Sequence, residues 1–75
     1  MEQFRMPEQS EILRVIKEVR PGIDQHDSSI FGKHGALRLG DLATEVCTRL
    51  NDGSHEMHMA VYEVLKSIRE GKLRP

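Results

Sequence analysis

Cysteine, net charge and long apolar runs are all scarce in this chain, and each shortage removes a class of protein. The single Cys47 excludes an internal disulfide. Beside apolar Val46 on a stretch of helical periodicity, it reads as a half-buried small apolar residue in a reduced, cytoplasmic setting. Eleven Lys plus Arg stand against twelve Asp plus Glu, a formal charge of -1, so no global field draws the protein to nucleic acid or to an anionic membrane. Any such binding must be local. No apolar run approaches the ~18 residues of a bilayer span, and MEQFRMPEQS has neither the basic nor the apolar region of a secretory leader, so no membrane association is expected. Internal repeats and low-complexity tracts are also missing.

Motifs of chemistry are sparse as well. Ser28, Ser29, Ser54 and Cys47 do not stand beside a histidine in a pattern that implies activation, so neither an enzyme nor a cofactor is expected. His55 and His58 are three apart on one helical face, with His26, His34 and Cys47 elsewhere in the chain. That spacing is not His-Glu-x-x-His and no Cys-x-x-Cys accompanies it, so no metal site is expected. Exposed histidines would instead add positive charge below pH ~6.5. Asp27-Ser28-Ser29-Ile30 faintly resembles the Asp-Ser-Leu of acyl carrier proteins, but Gly32, Lys33, His34 and Gly35 follow where those proteins have an acidic helix. Gly32-Lys33-His34-Gly35 is likewise too short for a phosphate-binding loop.

What is present is helical periodicity. The 75 residues suit one domain, residues 1–75, with a small core and no room for an enclosing substrate cleft, since folding at this size removes only about 60% of the unfolded surface. Residues 1–6 are unpatterned and expected to be flexible, apart from Phe4 and Met6. Pro7 suits the first position of a helix over 7–20, whose apolar set is Ile12, Leu13, Val15, Ile16 and Val19 and which Pro21-Gly22 stops. Residues 22–36 read as a long loop with a short turn of helix around Ser28 to Gly32, anchored by Ile23, Ile30 and Phe31. Ala36-Leu37-Arg38-Leu39 alternates like a short strand, and Gly40 ends it. Asp41 is the expected N-cap of the next helix, with Leu42, Ala43, Val46 and Leu50 on its apolar face.

Asn51-Asp52-Gly53-Ser54 makes a tight turn, with Gly53 expected in the left-handed conformation and Ser54 or Asp52 capping the last helix. That helix is the clearest element. Met57, Ala60, Val61, Val64, Leu65 and Ile68 form a continuous stripe at i, i+3, i+4, i+7, i+8 and i+11, so this face is buried. His55, Glu56, His58, Met59, Tyr62, Glu63, Lys66 and Arg69 point the other way. Gly71 ends the helix, and Lys72 to Pro75 suggest a second extended segment.

The stretches ALRLGDLA and AVYEVLKSIREGKL, joined by that turn, resemble the winged helix / helix-turn-helix DNA-binding superfamily over roughly residues 8–73. The implied fold is mainly α, a three-helix helix-turn-helix core with one or two very short strands. The implied function is a small DNA-binding transcriptional regulator or accessory factor with 54–70 as recognition helix in a major groove. On this resemblance Ser54, His55, His58, Met59 and Tyr62 would face the groove. Arg38, Arg49, Lys66, Arg69, Lys72 and Arg74 would meet phosphates. The pattern is departed from at Pro75, which leaves no second wing strand. Charge weighs against tight binding, since six basic and six acidic residues share Arg38–Pro75 and Glu56 and Glu63 lie on the reading face.

A rival of another class has the same fold. Met59 and Tyr62 are residue types enriched at interface centres, and together they could close a homodimer or dock another protein.

Overall fold

The computed structural model describes residues 9–33 and 35–75. The chain is mainly helical, with α1 Gln9–Val19, α2 Ser28–Phe31, α3 Ala36–Arg49 and α4 His55–Arg69, and there is no strand among the described residues. Helix α1 packs on α3 and α4, α3 on α4, and α2 on α3. The expected start of the first helix at Pro7 and the segment 1–6, with Phe4 and Met6, lie outside the described residues.

One cluster of buried side chains joins the elements. Ile12, Val15 and Ile16 come from α1, Ile23 and Ile30 from the connection and α2, Leu42, Ala43, Val46 and Cys47 from α3, and Met57, Val61, Val64, Leu65 and Ile68 from α4. Leu13, Val19, Phe31, Leu39, Leu50, Ala60 and Leu73 pack around it half-buried. The stripe read along residues 57–68 is therefore the buried face of α4. Cys47 is buried too, and that burial pushes its thiol pKa above the usual range, with the nearby Asp52 carboxylate adding to the effect.

Residues 36–39 are not a strand. Helix α3 already begins at Ala36 with Gly35 as its N-cap, and Asp41 is an exposed residue inside the helix rather than its cap. Alternation over four residues is a weak signal, and Ala, Leu and Arg are all good helix formers. Leu39, Leu42, Ala43, Val46, Cys47 and Leu50 continue one stripe at helical spacing, and burying it outweighs the propensity cost of about 1 kcal/mol for Gly40 in mid-helix.

The loop 22–36 holds the expected helical turn, α2, whose N-cap Asp27 accepts a hydrogen bond from the Ser29 N–H. Glycine is required where α2 meets α3, because a Cβ on Gly35 would lie 2.4 Å from the Ile30 carbonyl oxygen.

Helices α3 and α4 end in the same way. After α3, Asn51 N–H donates to Thr48 O and Asp52 N–H to Cys47 O, each at 3.0 Å. After α4, Gly71 N–H donates to Ile68 O at 3.0 Å and Lys72 N–H to Ser67 O at 2.9 Å. This paired closure places the second residue past the helix in the left-handed region. The residue there after α3 is Asn51, at φ 58, and not Gly53. After α4 it is Gly71, at φ 77. The second extended segment expected at 72–75 is instead turn and coil, held where Leu73 N–H also donates to Ser67 O at 3.2 Å.

Candidate functional site

Helix α4 is positioned by its N-cap. Ser54 Oγ accepts from the Met57 N–H at 3.1 Å, and Asp52 Oδ1 accepts from the Ser54 N–H at 2.9 Å. That backbone hydrogen bond, aided by the Ser54 side chain, holds the Asp52 carboxyl below its ordinary pKa. His58 Nδ1 lies 3.0 Å from the Ser54 carbonyl oxygen. A carbonyl only accepts, so Nδ1 is the donor in this contact. Ser54 and His58 thus serve first to build the start of α4.

The outward stripe of α4 runs His55, Met59, Tyr62, Lys66, Arg69, at i, i+4, i+7, i+11 and i+14. Met59 is 49% exposed and Tyr62 37%, the exposed large hydrophobics among the described residues. Tyr62 leans towards α3, where its hydroxyl would stand 3.7 Å from a Cβ on Gly40.

Beside it a cleft of about 220 Å³ is lined by Phe31, Leu39, Tyr62, Leu65, Glu63, Lys66 and Arg69, which joins α2, α3 and α4. Small-molecule sites usually run to about 300–1,000 Å³. This cleft therefore suits an inserted side chain or two rather than an enclosed ligand.

Of the residues expected to form a DNA-reading surface, Tyr62, Lys66 and Arg69 converge on that cleft. Arg38 does not. It lines a different and more polar depression with Val19, Arg20, Ile30, Asp41, Leu42 and Glu45. Arg49 is paired with Glu45 at 3.3 Å, and Lys72 with Glu70 at 3.2 Å. The Lys72 hydrogen bond, with lesser help from the fields of Lys72, Lys66 and Arg69, keeps the Glu70 carboxyl below its ordinary pKa. Glu63 and Lys66, three apart on α4, are not among the ion pairs of the described residues. His55 is exposed, and among the described residues no three His, Cys, Asp or Glu groups converge as a metal cage.

The walls of the cleft were not legible as a site. Phe31 reads from sequence as an anchor to the core and Leu39 as a strand residue, and only the packing of α2 and α3 brings them beside Tyr62. Also unforeseen is the network at the other end of the connection. Arg20 Nε and Nη2 donate to the two carboxylate oxygens of Asp27 at 2.9 and 3.0 Å. Ser29 Oγ donates to Asp27 Oδ1 at 2.7 Å and accepts from Arg20 Nη2. The Arg20 guanidinium above all, with the Ser29 hydroxyl, lowers the Asp27 pKa to about 2, and Asp27 in return raises that of Arg20. This cluster ties the end of α1 to the start of α2. Ser28, the serine of the carrier-like stretch, opens that helix, but it is four residues long.

Compared with known proteins, the chain matches no family model, no curated protein and no solved structure, so its function is argued from its own geometry.

Proposed function

We propose that this chain is a protein-interaction module that seats an apolar segment of another protein against the outward face of α4. The observation that carries this reading is the pairing of Met59 and Tyr62, exposed one helical turn apart, with an apolar cleft walled by Phe31, Leu39 and Leu65 alongside. Met and Tyr offer adaptable and amphipathic contact surface, and both are enriched at the centres of interfaces. A photo-crosslinking side chain at position 62 or 59, with position 17 on exposed α1 as control, tests it in cell extract. Discrete adducts at 59 and 62 should be competed away by the unlabelled protein but not by its Tyr62→Ala or Met59→Ser variants. Equal adducts at position 17, or competition by both variants, would sink the reading. Circular dichroism of each variant checks that the helices persist.

A second reading, binding of double-stranded DNA with α4 as a helix-turn-helix recognition helix, is favoured by the basic end of the chain. From Lys66 onward, Lys66, Arg69, Lys72 and Arg74 stand against Glu70 alone. Weighing against it, Glu56, Glu63 and Glu70 repeat every seven residues along the same face and would meet phosphates. Ser54 and one nitrogen of His58 are committed to the helix start, and Arg49 and Lys72 to ion pairs. An NMR titration with a short duplex at ~50 and ~200 mM salt separates the readings, because a phosphate-driven complex weakens steeply over that range. Shifts at His55, His58, Tyr62, Lys66 and Arg69 that fade with salt would favour DNA.

A further inference from the structure

Within the protein-docking reading, on which this inference rests, we infer that the segment seated in the α4 cleft is acidic and amphipathic: apolar anchors flanked by Asp or Glu. The cleft wall is apolar at Phe31, Leu39, Tyr62 and Leu65, and its charged lining is Lys66 and Arg69 against Glu63. Both cations are exposed, and of the three glutamates that weigh against a duplex laid along the whole of α4 only Glu63 lines the cleft. The ion pairs among the described residues join Arg14 with Glu18, Arg20 with Asp27, Arg49 with Glu45 and Lys72 with Glu70, and take up neither Lys66 nor Arg69. Glu70 feels the field of both cations but has its own partner in Lys72.

An apolar segment laid over the cleft would expel water from around these two charges and raise the worth of any carboxylate brought to them. The Arg69 guanidinium can hold such a carboxylate through two parallel hydrogen bonds, and Lys66, one turn earlier, supplies a second point charge. A basic segment would instead leave the two cations facing like charge as they lose solvent, an arrangement that disfavours such a partner. A second copy of this chain fits less well. If two copies pair antiparallel along α4, the Glu56–Glu63–Glu70 edge of one lies against the same edge of the other.

The test uses the full chain and three fluorescent peptides of about 15 residues, the length over which a helix can present several anchors to a groove. One carries Leu and Phe anchors at helical spacing with Glu between them, one the same anchors with Lys, and one scrambles the acidic sequence. Anisotropy should show the acidic amphipathic peptide binding at least about tenfold more tightly than the other two, the size of a modest electrostatic preference. Tyr62→Ala and Met59→Ser should each weaken it, and Lys66→Glu with Arg69→Glu should reverse the preference between the acidic and basic peptides.

Tighter binding of the basic peptide, still dependent on Tyr62, would overturn the acidic partner and leave the docking reading in place. Absence of binding by any peptide, with Tyr62→Ala silent, would overturn both. Two further controls run on the same samples. Salt-sensitive binding of duplex DNA that needs Lys66 and Arg69 but not Tyr62 would reassign the surface to nucleic acid. Self-association in sedimentation that Tyr62→Ala abolishes would reassign it to a second copy of the chain.

Discussion

Asp27 accepts the Arg20 fork, the Ser29 hydroxyl and the Ser29 backbone N–H, and its side chain is only 11% exposed. Its folded pKa of about 2 lies below the value of about 3.9 that an aspartate has in an unfolded chain. A depressed carboxyl stabilises the fold above its unfolded pKa and withdraws that support as pH falls through the folded one. Stability should therefore drop as pH falls from about 4 to about 2, and urea unfolding across that window should show a shallower drop in Asp27→Asn. The same residue caps α2, so Asp27→Ala should cost about 1–2 kcal/mol at neutral pH. Asn51 makes the complementary case, since its φ of 58 belongs to the backbone closure of α3. Asn51→Val should lose about 1–2 kcal/mol in the same assay and Asn51→Gly nothing, because a branched Cβ crowds the carbonyl in the left-handed region.

Two glycines of the α2–α3 region respond oppositely to one added methyl. Gly40 lies within α3, where a Cβ meets nothing nearer than the Tyr62 hydroxyl at 3.7 Å, an ordinary contact. Gly40→Ala should raise stability by about 0.5–1 kcal/mol through helix propensity alone. Gly35→Ala should lower it by about 1–3 kcal/mol, since its Cβ would press on the Ile30 carbonyl oxygen at 2.4 Å and backbone would have to move. Thermal unfolding of the pair checks both signs; a destabilised Gly40→Ala would show that α3 needs flexibility there. These positions also show what could be read at the scale of the element. The stripe from Met57 to Ile68 spans more than three turns and admits one period only, so α4 and its buried face are evident in the sequence. Residues 36–39 span one turn, too short for either period to exclude the other, and Gly40 supplied a false stop.

At the scale of the molecule, 75 residues at roughly 0.05–0.15 kcal/mol each imply a total stability of about 4–11 kcal/mol. Ile16 is fully buried in the cluster that α1 shares with α3 and α4. Truncation to alanine typically costs about 2–5 kcal/mol, so Ile16→Ala should remove a large part of the whole, and its circular dichroism melt should shift far more than that of Met59→Ser. The contrast separates a residue that holds the fold from one left at the surface.

Local chemistry determined much of this protein by itself: the apolar stripes, the stop after α1 at Pro21-Gly22, the Ser54 cap and the closure at Gly71 each rest on near neighbours in sequence. Tertiary structure decided the rest. The start of α3 depended on a face that pays only when packed against α1 and α4. The Arg20–Asp27–Ser29 network and the cleft of Phe31, Leu39, Tyr62 and Leu65 join residues up to 34 positions apart. No periodicity links such residues, because their proximity comes from how helices cross and not from how any one of them winds.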